Sequence, residues 1–314
     1  GASHRGTLLV NTPVCDGFFV KALLLLKAAA WAEPRGLVPV PVLTSPCDPY
    51  MPYNSSGRTG HNAWSNFFTM DPASKAAALG VGDERSQTRR YQLSEFAAFW
   101  LYSSDGPSMY ASTYEQAVAL RLARSQLVAR WLHPAKRVIK MADELWEKAG
   151  MGLHGKTMGI HVRGTDKRIG KRIVSISYFR YADAWLKHSE DGRLFLATDD
   201  AAVVVTFRER YGRKLMVVED APRGSCDTAG GECAYSNAMS RAAATGDGSG
   251  LLGLTALVDT ILLSRCDFLV KSRSAVSEFA IYYSPRLINA SYDFELPDQP
   301  QPATAWWPPR EVDT

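Results

Sequence analysis

From residue 158 onward, short apolar runs of strand length alternate with segments of helical length, and few folds accept that alternation. Residues 158–162, 193–197, 214–218, 267–270 and 286–288 read as strands. Residues 177–188, 200–211, 251–264 and 275–283 read as the helices between them, with a Gly-, Ala- and Ser-rich loop at 221–250. A helix-long connection returns the chain to the same end of a sheet, so the strands are expected to run parallel with helices on both faces. Ligands of such sheets bind beyond the carboxyl ends of the strands, which is where functional residues should be sought.

The first half opens in the same grammar. Residues 7–10 read as a strand, Asn11-Thr12-Pro13 as a turn, residues 17–31 as a buried amphipathic helix and residues 37–43 as a second strand. Residues 71–148 read as mostly helical, with Pro134 expected to break the helix and Gly150, Gly152 and Gly155 to end it. The expected domains are therefore 1–150, an N-terminal Rossmann-like unit, and 151–290, a second Rossmann-like unit. A Pro- and Trp-rich tail, 291–314, should pack back on the surface. With 314 residues, 46% of them hydrophobic, the chain can fill two such cores.

Charge and hydropathy narrow the partners. A net charge of +4 from 36 basic and 32 acidic residues is too small a basic excess to neutralise a nucleic-acid backbone, so no nucleic-acid partner is expected. No run approaches the roughly 20 apolar residues a bilayer requires; residues 18–31 come nearest and are interrupted by Lys21 and Lys27. Any membrane association is expected to run through an anchor outside these residues. Five cysteines allow either two pairs, Cys226 with Cys233 and Cys15 with Cys47, or unlinked thiols. The sequons Asn54-Ser55-Ser56 and Asn289-Ala290-Ser291 tilt the expectation toward a secretory compartment.

Residues 150–157, GMGLHGKT, satisfy the phosphate-loop pattern, and Thr198-Asp199-Asp200 follows an apolar strand as a magnesium-holding Asp would. A phosphate loop must leave a strand and enter a helix, so that backbone N–H groups and the helix dipole converge on the phosphates. Here a helix precedes the loop and a strand follows it, so the motif reads as a glycine-rich helix stop.

Three other segments carry chemistry. His161-Val162-Arg163-Gly164-Thr165-Asp166-Lys167 puts cations at the end of a strand, where an Arg offers paired donors to a phosphate. Thr198-Asp199-Asp200 closes the next strand. The third segment places Asp259 in an apolar helix and Lys271-Ser272-Arg273-Ser274-Ala275 at a strand-to-helix turn. A carboxylate in an apolar helix needs fixed donors, which a guanine edge supplies, and the turn offers hydroxyls and N–H groups to a diphosphate.

Together, residues 161–167, Phe195-Leu196-Ala197-Thr198-Asp199-Asp200 and residues 257–270 resemble the three ordered motifs of the α1,6- and protein O-fucosyltransferase superfamily. The resemblance implies a GT-B fold, two Rossmann-like domains with parallel sheets facing a central cleft. It also implies an inverting, metal-independent glycosyltransferase that takes fucose from GDP-fucose to a glycan or glycoprotein hydroxyl in the Golgi lumen, with no cofactor. Arg163 would bind the donor β-phosphate, His161 and Asp259 would flank the guanosine, and Ser272, Arg273, Ser274 and Ala275 would line the phosphate pocket. Thr165, Lys167, Asp199 and Asp200 complete the expected donor site. Asn11, Asp16, Gly17, Asn62 and Trp64 are the expected acceptor-side residues, Asn62 and Trp64 because His61-Asn62-Ala63-Trp64 resembles a segment of related glycosyltransferases.

The chain departs from the family twice. Gly164 stands where core α1,6-fucosyltransferases have a second Arg, and Lys171 where they have a Glu that serves as general base. Lys167, Arg168 or Arg273 would have to replace the lost cation, and Asp16 or Asp166 the base. No Asp-x-Asp triplet, the usual metal-holding element of metal-dependent glycosyltransferases, occurs in the chain. Two other readings keep the architecture: a GT-B enzyme of another nucleotide sugar, and a non-catalytic nucleotide-sugar or glycan-binding protein. Gly164, at a strand end, is expected to be exposed and to tolerate substitution by Arg.

Overall fold

The computed structural model describes residues 6–11, 18–42, 63–70, 89–92, 111–153, 155–164, 176–224 and 248–308. The chain divides into two compact units that interleave in sequence: Gly1–Tyr110, Ala123–Val138 and Met239–Leu254 form one, and Ala111–Leu122, Ile139–Ala238 and Thr255–Thr314 the other. Each is an α/β unit built on a parallel sheet.

The first unit holds β1 (Gly6–Asn11), β2 (Leu37–Val42) and β3 (Arg89–Gln92) in the order β2-β1-β3, with α1 (Phe18–Ala32) between the first two. Pro39 and Pro41 sit in β2 opposite Leu8 and Val10. A proline has no N–H for a ladder, so alternate prolines are compatible with a strand that pairs on one side only, as β2 does among the described strands. Residues 89–92 had been expected to be helical; they form a strand instead. Their sequence, RRYQ, carries no apolar period of its own, and parallel pairing with β1 decides their conformation. Two long helices follow, α2 (Tyr114–Trp131) and α3 (Lys136–Lys148), with the expected break at Pro134.

The second unit holds β4 (Thr157–Val162), β5 (Arg193–Thr198), β6 (Leu215–Val217), β7 (Phe268–Lys271) and β8 (Ser291–Asp293). Its helices are α4 (Ile176–His188), α5 (Ala201–Tyr211), α6 (Gly248–Arg265) and α7 (Ala275–Tyr283). The sheet order is β6-β5-β4-β7-β8, all parallel, so within this unit the strands lie in the doubly wound order 3-2-1-4-5. All six residues of β4 are buried, as a central strand covered on both faces requires. Gly159 lets α6 come close: a Cβ there would lie 3.1 Å from Cys266 Sγ and from Leu263 Cδ2. Residues 286–288, expected as a strand, lie in a 3-10 turn, Pro285–Ile288, because Pro285 at its first position fixes φ and lacks the N–H a ladder needs. The strand begins at Ser291 instead. Beyond it, Trp306 packs edge-to-face on Trp185 and Phe268, with ring centroids 5.0 and 4.8 Å away.

The 150–157 segment stops a helix. Gly150 and Gly152 take left-handed φ values of 64° and 76°, and the N–H of Met151 donates to Trp146 O at 3.0 Å. A Cβ on Gly155 would stand 2.4 Å from the carbonyl oxygen of Asp191, a backbone atom that no rotamer change can remove. Gly155→Ala is therefore expected to cost about 1–3 kcal/mol in urea unfolding. Lys156→Ala, at an exposed position, should leave stability within about 0.5 kcal/mol.

Candidate functional site

In a 3-2-1-4-5 sheet the chain winds one way from its first strand and the other way from its fourth, so a crevice opens between these strands at their carboxyl ends. Here that point lies between β4 and β7. Arg163 and Gly164 follow β4 directly, and Ser272, Arg273 and Ser274 follow β7. The sheet order thus brings the first and third sequence segments to one rim, and a side-chain contact joins them: Arg163 Nη1 donates to Ser274 Oγ at 3.3 Å.

Ser274 is the N-cap residue of α7, in extended conformation, and its hydroxyl makes no capping bond to its own helix. The Arg163 contact takes the place of that cap. Ala275, the first residue of α7, is buried behind it. The turn before the helix is held by its surroundings. Arg273 donates its backbone N–H to Glu295 Oε2 at 2.7 Å and Nη2 to Ala111 O at 3.4 Å, and Ser277 Oγ donates to Ser274 O at 3.2 Å.

The second segment serves the rim in another way. Asp199 Oδ1 accepts the backbone N–H of Gly164 at 2.8 Å, fixing the chain as it leaves β4. Asp200 caps α5, its Oδ1 accepting from Ala202 N at 2.9 Å. Gly224 pairs its backbone with both neighbours, its N–H donating to Asp199 O and its carbonyl accepting from Ala201, each at 2.9 Å. These two carboxylates organise the strand end. Gly164 itself is buried, contrary to the expectation of an exposed position, because Asp199 draws its backbone inward.

Asp259 lies in α6, 8% exposed, and its Oδ1 accepts no hydrogen bond among the described residues. Burial pushes its pKa up to about 7 from an ordinary 3.8, opposed in part by the Arg223 guanidinium. Arg223 is anchored in the loop after β6, donating to Val218 O at 2.6 Å. His161 is buried in β4, paired in register with Ala197 and Lys271.

On the first unit, Asn11 closes β1, the strand flanked by β2 and β3, at the corresponding switch point of that sheet. Trp64 is 2% exposed and stacks on Phe68 with centroids 4.5 Å apart, inside an aromatic cluster with Phe18 and Phe67. Its faces are taken by the core. Asp16, Gly17, Asn62, Thr165, Asp166, Lys167, Arg168, Lys171, the sequon at Asn54 and the cysteines other than Cys266 lie outside the described residues. Cys266 is a free thiol, buried against α6. Among the described residues, no group of three or more His, Cys, Asp or Glu could hold a metal ion, and no helix is long and apolar enough to cross a membrane.

Behind the β7 turn lie four buried charges, of which sequence reasoning had named Lys271 alone, as part of the Ser-rich turn, and had missed Arg121, Glu278 and Asp293. Lys271 pairs with Glu278 Oε1 at 2.9 Å and Asp293 Oδ2 at 2.5 Å, and Arg121 bonds Glu278 through Nε at 3.0 Å and Nη2 at 2.7 Å. Lys271 ends the apolar run FLVK and Glu278 interrupts AVSEFAIYY, which was a readable sign of a buried pair. Arg121, 157 positions from Glu278, gave no such sign.

No protein-family model matches the chain, and no curated protein matches it in sequence. Among solved structures it is similar to NodZ, an α1,6-fucosyltransferase known from Bradyrhizobium, soaked with GDP-fucose: 15% identity over 90% of this chain and 93% of that one, TM-score 0.49. It is also similar to a variant of Arabidopsis thaliana FUT1 in complex with GDP, at 11% identity over 94% and 71% of the two chains, TM-score 0.46. A family 9 glycosyltransferase from Veillonella parvula gives 12% identity over 94% and 87%, TM-score 0.41. The chemistry is argued from the residues.

The raised Asp259 pKa has a signed consequence. An acid whose folded pKa exceeds its unfolded value costs stability progressively as pH rises between the two, here from about 4 to about 7. Asp259→Asn should therefore gain on the wild type by up to about 3 kcal/mol between pH 5 and pH 8, measured by urea unfolding at both values. Parallel stability curves would show a carboxyl already solvated.

Proposed function

We propose that the chain is a glycosyltransferase whose second unit holds a guanosine diphosphate sugar, GDP-fucose by preference, with the diphosphate at the β4–β7 rim. The observation that carries this reading is the Arg163–Ser274 contact at the switch point of the sheet. It sets a guanidinium beside the N-terminus of α7, where N–H groups and the helix dipole favour negative charge. Asp259, a buried carboxyl with an unmet oxygen, suits the N1–H and exocyclic amine of guanine.

In the reaction, the acceptor hydroxyl oxygen bonds to the anomeric carbon from the face opposite the diphosphate, which inverts the configuration. The bond from that carbon to the phosphate oxygen breaks, GDP leaves with the electron pair, and the hydroxyl proton passes to a carboxylate, Asp16 or Asp166. Negative charge grows on the leaving diphosphate, so a guanidinium fixed beforehand stabilises the transition state more than the ground state. With cations doing that work, no divalent metal is required. The acceptor would be a glycan or glycoprotein in the secretory pathway, with Asn11, Asp16, Gly17 and Asn62 on the acceptor side.

Calorimetry with GDP, GDP-fucose and UDP, each with and without EDTA, tests the reading. GDP and GDP-fucose should bind equally well with the chelator present, and UDP should bind more weakly. Arg163→Ala should lower transfer from GDP-fucose by about 100 to 1000-fold, while Lys156→Ala leaves it unchanged. GDP affinity should rise from pH 6 to pH 8, as Asp259 loses the proton that competes with the guanine donors. Binding of no guanine nucleotide would end the proposal.

A further inference from the structure

The buried charges behind the β7 turn are costly by any ordinary account of stability. Lys271 is 0% exposed, Arg121 2%, Asp293 6% and Glu278 8%. Two cations and two carboxylates taken out of water recover their desolvation only through close mutual contact, and apolar groups of the same volume commonly serve a fold as well or better. Their net charge is zero, so they offer a phosphate no attraction of their own. What they do have is a particular placement.

Lys271 is the last residue of β7 and Glu278 lies in the first half of α7, so their contact ties together the two ends of the turn at residues 272–274. Burial alone would raise the Glu278 carboxyl, but the Lys271 ammonium and the Arg121 guanidinium outweigh it and hold it well below the usual range. Asp293 extends the tie to the neighbouring strand. Its Oδ2 meets Lys271, its Oδ1 accepts Glu295 N at 2.9 Å, and the Glu295 carboxylate accepts the N–H of Arg273. Phe294 N donates to Lys271 O at 3.0 Å, closing the same loop from the other side. Arg121, on α2, donates to both Glu278 oxygens in a two-pronged bond whose direction is fixed by the planar guanidinium.

Resting on the guanosine diphosphate reading above, we propose that Arg121, Lys271, Glu278 and Asp293 are positioning residues: as a charge-neutral buried quartet they hold the 272–274 turn so that Ser274 meets Arg163. An apolar core would pack the same volume but would not fix one register of strand end against helix start. The ionic quartet does, because each cation meets a carboxylate in this arrangement.

The test separates position from stability. A variant carrying Arg121→Met, Lys271→Met, Glu278→Met and Asp293→Asn, which keeps an acceptor for Glu295 N, is compared with the wild type and with Glu278→Gln. Each protein is followed by thermal melting, by calorimetry with GDP and by amide hydrogen exchange without nucleotide. The fourfold variant should melt at or above the wild-type temperature. Its GDP Kd should rise about tenfold or more, and exchange at Arg273 and Ser274 should accelerate while the interior of α7 stays protected. If that variant does not fold, Glu278→Gln decides by the same comparison of affinity and turn exchange. Wild-type affinity with wild-type exchange in a folded variant would overturn the positioning role. A wild type that fails to bind GDP would overturn the nucleotide reading instead, and the exchange arm would still report whether the quartet orders the turn.

Discussion

The burial of β4 on both faces is the constraint from which the site follows. A strand with neighbours on each side and helices above and below can present nothing to a ligand along its length. Its only approachable groups are those just past its carboxyl end. Gly159 makes the burial tight, since α6 reaches van der Waals contact where any side chain would stand. Arg163 is therefore the first side chain of the strand's continuation able to turn outward, and the partner it meets, Ser274, comes from the strand on the other side of the winding reversal. Rim geometry is here a product of topology.

Much of this was legible in the sequence because period and length are local properties. The β4, β5 and β7 runs and the α4 to α7 segments carry their own patterns, and their boundaries fall within a few residues of those read from the chain. What escaped is what depends on partners. The RRYQ strand takes its conformation from β1, and Pro285 turns a strand-like stretch into a 3-10 turn before β8 begins. The same division runs through the site. Residue types at strand ends pointed to Arg163 and the Ser-rich turn, but nothing local distinguishes a carboxylate that touches a ligand from one that anchors a backbone. Asp199 and Asp200 are adjacent in sequence, and the structure gives one to Gly164 N–H and the other to the start of α5.

Gly164 shows how burial at a strand end escapes the sequence. Its N–H donates to Asp199 and the residue is buried, a placement that string comparison with a family having Arg there does not anticipate. Among the described residues Arg273 stands in the turn on the opposite side of the switch point, with its backbone held by Glu295 and its guanidinium reaching Ala111 O.

Two carboxyl groups of the second unit make the sharpest contrast. Asp259 and Glu278 are equally buried, each 8% exposed, and burial works on both in the same direction. Their pKa values nevertheless move apart, upward for Asp259 and downward for Glu278, and the difference lies in the cations. Glu278 has an ammonium and a guanidinium within 3 Å. Among the described residues Asp259 has the field of Arg223, whose Nη1 and Nη2 donate to backbone carbonyls of its own loop, among them Val218 O. A carboxylate whose lone pairs are already filled from inside gains little from a ligand and is suited to holding structure. One left with an unmet oxygen among the described residues keeps its proton to higher pH, so within one unit the placement of three cations separates an acid held ionised from one held protonated.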